Sequence, residues 1–170
     1  PKMFVYDDAY SCKWPPDHRF PMAKFHELHK VLTNGGIIHT DSFLAPKDFI
    51  DDDELMDAVR NVHCPSYLHR LFNHELRPQE RREIGLHFGD HGDDDRHSQL
   101  LIDRTLSEVR GTAVTVDLAL KNGIAVNLAG GTHHAHYDKG SGFCVLNDLA
   151  ISANRILNNL FCVFQTLMIK

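Results

Sequence analysis

Between Leu106 and Leu160 the chain changes its hydrophobic period twice, which restricts its possible folds more than any other feature. Leu106, Val109, Ala113, Val116 and Leu120 recur at helical spacing over four turns, and Asn122-Gly123 supplies a stop. Ile124 to Leu128 follows at once as an apolar run of strand length, suited to a buried strand, with Gly130-Gly131 close behind. Leu146, Leu149, Ala150, Ala153, Ile156, Leu157 and Leu160 then return to helical spacing. Helices alternating with a strand through short Gly-bearing turns predict an α/β fold with a mainly parallel sheet.

The first half of the chain extends that alternation. Met3 to Tyr6 reads as a first strand, and Asp7 to Phe20 as a polar loop carrying Trp14, His18 and Arg19. Pro21 suits the first turn of a helix whose apolar positions are Phe25, Leu28 and Leu32, stopped by Asn34-Gly35-Gly36. Ile37 to His39 reads as a second strand. The acids of Asp51 to Glu54 sit ahead of Leu55, Ala58, Val59 and Val62, so they complement a helix dipole rather than forming a separate acidic patch. Ser66 to Asn73 is another short helix with Tyr67, Leu71 and Phe72. Residues 74–97 look least regular, and the Asp- and His-rich run from Gly89 to His97 suits a surface loop better than a cation site.

The 170 residues amount to one domain, and 42% hydrophobic with 24% charged residues is a globular composition. A net charge of -5 disfavours direct nucleic-acid binding, which needs clustered Lys and Arg. Cys12, Cys64, Cys144 and Cys162 are scattered, as in a reducing compartment where thiols fill apolar space. The apolar run at residues 160–170 is too short to span a bilayer, so the expected chain is soluble, cytoplasmic or nuclear, with no membrane partner.

Chemistry concentrates between Val126 and Asp148, in VNLAGGTHHAHYDKGSGFCVLND. In an open parallel sheet, ligand sites lie beyond the carboxyl ends of the strands. There Gly130-Gly131 lets the backbone turn sharply, and His133 and His134 project at the rim. Neighbours on a strand face opposite sides, so only an irregular turn brings both rings into one place. Two imidazoles so placed can divide general-base and general-acid duties, although an exposed or capping pair is the competing reading. His136 adds a third imidazole but no obvious fourth ligand for a zinc set.

Gly130-Gly131-Thr132-His133-His134-Ala135, with Gly140-Ser141-Gly142-Phe143-Cys144 and Asn147-Asp148, resembles the signature of the zinc-dependent histone deacetylase family. Phe20 to Lys24, Val62-His63, Tyr67-Leu68 and Glu80 to Leu86 resemble bacterial-type and class IV members, so the resemblance spans residues 3–160 of a single partial domain and leaves a tail at 161–170. It implies a three-layer arginase/deacetylase-like α/β/α fold, incomplete on its C-terminal side. It implies hydrolysis of an acetyl or longer acyl group from lysine, on a histone or another protein, or from a small acylated amine. By resemblance His133 hydrogen-bonds the attacking water, and His134 is general base and then acid. Gly142 and Phe143 line a substrate tunnel; Gly130, Gly131, Cys144 and Asp148 are supporting positions.

The family's zinc is expected in the complete domain. Its ligands, an Asp and a His at a strand end and a later Asp, would lie beyond the helix at residues 145–160, so none is assigned here. The expectation is therefore an N-terminal half-domain without turnover of its own. The alternative is a non-catalytic fragment or pseudo-enzyme that binds a partner through its exposed half-sheet.

Overall fold

The structure, a computed structural model, describes the backbone of residues 2–85 and 95–168 and the side chains of residues 2–85 and 97–159. Among these residues three short strands, β1 (Phe4–Val5), β2 (Phe43–Leu44) and β3 (Val126–Asn127), form a parallel sheet in the order β2-β1-β3. Phe4 pairs with Phe43 and Val126, and Val5 with Leu44 and Asn127. Six α-helices accompany them among the described residues: α1 (Lys24–Asn34), α2 (Asp52–Arg60), α3 (Pro65–Phe72), α4 (Pro78–Ile84), α5 (Asp95–Asn122) and α6 (Asp148–Met168). The chain is thus an α/β protein built on a parallel sheet.

Adjacent residues on a strand point to opposite faces, and Val5 and Tyr6 show what covers each. Val5 is fully buried in a large cluster with Leu55, Val59, Val109, Ala113 and Ile151, drawn from α2, α5 and α6. Tyr6 enters a smaller cluster with Tyr10, Phe25 and Leu128, against which Leu32 of α1 packs. The sheet therefore lies between an α5 layer and an α1 layer. Each fully buried Val, Leu or Ile contributes roughly 1.5–3 kcal/mol, so the α5 side dominates the stability. Helix α5 touches β1, β3 and α6, making it the scaffold on which the sheet edge is assembled.

Local chemistry explains the helix boundaries. Asp51 caps α2, its carboxylate accepting from Glu54 N at 2.9 Å, as the acidic run predicts. Proline opens both α3 and α4, where a missing N–H costs nothing. No helix among the described residues is long and apolar enough to cross a membrane.

Several expectations need correction. Ile37 to His39 is not a strand: Ile37 N and Ile38 N both donate to Leu32 O, so these amides finish α1 and are lost to any ladder. The second strand forms instead at Phe43–Leu44. Helix α1 starts three residues after Pro21, at Lys24. Within the irregular-looking stretch, α4 forms, its Glu80 accepting from Arg77 N at 2.9 Å and its Gly85 closing the helix in the left-handed region. Residues 86–94, most of the acidic loop weighed as a cation site, lie outside the described residues, whereas Asp95 onward begins α5, well ahead of Leu106.

The run at Ile124 to Leu128 does not make a buried strand. Among the described residues only Val126–Asn127 pairs, at the edge of the sheet beside β1, and Ile124 and Val126 are 64% and 40% exposed. The apolar face expected of the last helix is also displaced. Leu149, Ala153 and Leu157 are exposed, while Asp148, Ile151 and Ser152 are buried. Polar contacts of Asp148 with Gly131, Thr132 and Thr112 set the rotation of α6 against the hydrophobic pattern.

Candidate active site

Because all three strands are parallel, their carboxyl ends share one edge, and the chain leaves β3 there into Gly130-Gly131. The two glycines have φ of +101° and +78°, values that L side chains rarely adopt. This geometry aims three successive amides inward. Gly130 N donates to Glu108 Oε1 at 3.2 Å, Gly131 N to Asp148 Oδ2 at 2.8 Å and Thr132 N to Asp148 Oδ1 at 2.7 Å. Asp148, the first residue of α6, is completely buried, and its own N–H donates back to Thr132 Oγ1.

Beneath them runs a polar ladder. Thr112 Oγ1 donates to Asp148 Oδ2 at 2.6 Å and accepts from Asn127 Nδ2, whose Oδ1 accepts from the Tyr10 hydroxyl. Glu108 also takes Arg104 Nη2 at 3.0 Å, both side chains being 3% exposed. Burial raises the proton affinity of Glu108, and Asp148 adds to it, while Arg104 and the Gly130 amide pull the other way.

The turn brings His133 and His134 to the same side, ring centroids 4.2 Å apart and tilted by 38°, both exposed. A carbonyl only accepts, so the 2.7 Å contact of His133 Nδ1 with Gly131 O fixes Nδ1 as the protonated nitrogen and turns Nε2 outward. Asn147 locks the loop behind them. Its amide donates to Ala135 O at 2.8 Å while its Oδ1 caps α6 through Ala150 N.

The second glycine turn is strapped to α4: Gly142 N donates to Glu83 O and Phe143 N to Ile84 O. These bonds hold Phe143 at φ +66°, a conformation that costs a residue with a Cβ about 1–2 kcal/mol. The Phe143 ring packs on Phe20 at 5.3 Å, under the Arg19 guanidinium at 4.9 Å, and against Gly85, where a Cβ would come within 3.1 Å. Gly142 sits equally close to His134, a Cβ there falling 3.1 Å from its Cγ. Cys144 is buried and its thiol held above its ordinary range by desolvation, a filler rather than a nucleophile. The structure thus brings the two histidines and both glycine turns into one neighbourhood.

Sequence comparison adds the decisive observation: the model of the histone deacetylase domain matches residues 18–165. The chain belongs to the histone deacetylase family. An uncharacterized protein of Picosynechococcus sp. (strain ATCC 27264 / PCC 7002 / PR-6) is 40% identical over 152 residues, covering 89% of this chain and 46% of that protein. The acetoin utilization protein AcuC of Staphylococcus aureus (strain MSSA476) is 27% identical, covering 88% of this chain and 38% of its own length. Histone deacetylase 2 of Arabidopsis thaliana is 25% identical, covering 79% of this chain and 33% of its own length. The chain spans less than half the length of these curated relatives.

Zinc is the metal that the histone deacetylase family implies, and the residues present do not make a site for it. Among the described residues, no three His, Cys, Asp or Glu side chains converge to hold a metal ion. His133 is committed to Gly131 O through Nδ1, and Asp148 spends both oxygens on Thr112 and backbone amides.

Motif reading passed over Glu108, Thr112 and Asn127, and used His63 only as a point of family likeness. Arg104, Glu108 and Thr112 recur at i, i+4 and i+8, polar residues on a helix flank that carries Leu101 and Val109, and that periodicity was the available signal. His63 is 1% exposed, accepting from Asn147 N at Nε2 and donating to Tyr137 O from Nδ1. Desolvation lowers its pKa, so the neutral ring braces the start of α6.

Proposed function

We propose that this chain carries the proton-handling part of a deacetylase centre that hydrolyses acetyl-lysine amides, with zinc ligands supplied by sequence outside the described residues. The observation that carries the reading is the side-by-side pair His133 and His134 at the sheet edge, with the His133 tautomer set by Gly131 O. His134 takes a proton from water as the water oxygen bonds to the acyl carbon. The C–N bond then breaks, and the same imidazole returns the proton to the leaving lysine amine. His133 Nε2 faces outward, available to hydrogen-bond the water or the oxygen that gains charge.

Phe143 offers an apolar wall for the lysine methylenes, and Gly142 leaves room beside His134. Gly130, Gly131, Cys144 and Asp148 support the loops. The substrate is an acetylated lysine of a histone or another protein; a small acylated amine would use the same chemistry. The free thiols of Cys12, Cys64 and Cys144 suit a reducing compartment, cytoplasm or nucleus.

Since the relatives extend well past the matched region, turnover is expected of the longer domain and not of the 170 residues alone. The test is a chimera joining this chain to the remaining sequence of the 40%-identical relative, assayed on an acetyl-lysine peptide. Turnover that falls about 10²–10⁴-fold on His134→Ala supports the assignment. A folded chimera that leaves the peptide intact rejects it, and turnover by the unextended chain rejects the half-site reading.

A further inference from the structure

A buried polar network lies under the histidines rather than among them. Successive N–H groups in a tight turn can converge into a concave nest, the kind of backbone site that ordinarily holds an anion. Here the nest of Gly130, Gly131 and Thr132 is filled from within. Glu108 reaches it from the middle of α5 and Asp148 from the first turn of α6. Both carboxylates are buried, 3% and 0% exposed.

We propose that Glu108 and Asp148 are positioning residues whose carboxylates, as the internal anions of this nest, set the angle at which His133 and His134 leave the sheet edge. The proposal rests on the deacetylase reading for its purpose, but not for its geometry.

Three observations favour this role over general packing. The two carboxylates divide the three amides between them, so each helix fixes a different part of one turn. Asp148 has no spare oxygen: Oδ2 takes Gly131 N and Thr112 Oγ1, while Oδ1 takes Thr132 N. An Asn there must direct its NH2 at a donor and give up at least one of these bonds. The orientation also passes on directly, since Gly131 O receives both His133 N at 2.9 Å and His133 Nδ1 at 2.7 Å. Rotating the Gly131 peptide therefore rotates the His133 ring.

Arg104 offsets one of the two negative charges and is itself anchored, its Nε donating to Tyr10 O at 3.1 Å. Its guanidinium lies over the rings of Phe20 and Phe25, with centroids 5.4 and 5.2 Å away. Phe20 in turn touches Phe143, so one buried cation is tied to both the nest and the apolar wall. Loop angle and wall position are in this way set by a common polar core.

The test uses the 170-residue chain, labelled with ¹⁵N and ¹³C, and reads amide exchange together with the Cε1–H resonances of His133 and His134. In the unsubstituted protein the amides of Gly130, Gly131 and Thr132 should exchange as slowly as those of Val109 and Ala113 in α5. Asp148→Asn should speed Gly131 and Thr132 exchange selectively by about ten-fold or more, the size of one lost charge-assisted hydrogen bond. It should also move both ring resonances. Glu108→Ala should do the same at Gly130, and Glu108→Gln, which keeps an acceptor, should restore much of that protection.

Ile151→Val is the control for simple destabilisation: it should lower the melting temperature and leave the ring resonances in place. If Asp148→Asn does not fold, Thr112→Val removes one donor from Asp148 and should give a smaller shift of the same sign. Fast exchange of the three amides in the unsubstituted protein overturns the proposal. So do ring resonances unchanged in every folded variant. Failure of the deacetylase reading would look different, with no turnover in the chimera but selective exchange and ring shifts intact.

Discussion

Gly130 and Gly131 are chemically identical neighbours in the left-handed half of conformational space, and alanine should distinguish them sharply. At Gly131 an added Cβ meets nothing within 4 Å. Gly131→Ala therefore carries only the backbone term, about 1–2 kcal/mol for an L residue at positive φ. At Gly130 the Cβ would stand 2.5 Å from Thr112 Oγ1, 2.8 Å from Asp148 Oδ2 and 3.2 Å from Asn127 Nδ2. Thr112 and Asp148 are buried and hydrogen-bonded to each other, so neither can swing aside into solvent. To the same backbone term Gly130→Ala adds about 1–3 kcal/mol of overpacking. It also damages at least one hydrogen bond to a charged group, about 1.5–3 kcal/mol. The expected totals are roughly 4–8 kcal/mol for Gly130→Ala against about 1–2 kcal/mol for Gly131→Ala. At about 2–4 °C per kcal/mol for a chain of this size, the melting temperatures should fall by more than about 8 °C and by about 2–8 °C respectively. Denaturant titration of both variants is the assay. Equal losses would refute the reasoning, since they would mean that the Thr112–Asp148 network is not packed against Gly130.

Other consequences follow from single groups. Burial holds the His63 imidazole below its ordinary range, so the unfolded chain takes up the proton first as pH falls. Stability should be complete above about pH 6.5 and decline below it until the folded-state pKa is reached, and His63→Gln should flatten melting temperature against pH in that window. Glu80 lies in the opposite case: hydrogen bonding to Arg77 and Arg70 brings it from 4.5 down to about 2. Its contribution is present above about pH 4.5 and lost on falling towards 2. The full displacement corresponds to about 3 kcal/mol, which screening around the exposed Arg77 trims to about 2, measurable as the denaturant midpoint of Glu80→Gln at pH 7. Gly142→Ala should displace the His134 ring, lowering turnover of the active chimera about a hundred-fold while costing about 1–2 kcal/mol of stability. Unchanged turnover would place His134 elsewhere in the working site.

Wherever one residue's chemistry sufficed, the structure was legible in the chain. The acidic cap of α2, the Val109 and Ala113 positions of α5 and the glycine turns are local choices of backbone and side chain, and they appear where the sequence puts them, whereas Leu120, expected on the same face, is 69% exposed. The misreadings all involve competition between local pattern and distant partners. Ile37 and Ile38 have strand propensity, but Leu32 O claims both of their amides. Pro78, Glu80 and Gly85 spell a capped helix, yet the surrounding charge hides it until Arg70 and Arg77 neutralise Glu80. The pattern of α6 predicts a face through Leu149 and Leu157, whereas Asp148 turns the helix so that it can reach Gly131 and Thr132.

The sequence by itself determined the family, the α/β class with a parallel sheet, and the identity of the paired histidines. Each depends on residue type at fixed spacing along one segment, which is information that a linear chain carries whole. Only the tertiary structure decided that both imidazoles face one side, which nitrogen of His133 bears the proton, and that Glu108 and Asp148 hold the turn beneath them. Glu108 and Gly130 stand 22 residues apart, and Thr112 and Asp148 stand 36 apart. Their hydrogen bonds exist because α5 packs against the sheet and α6, and no periodicity in either segment encodes that meeting.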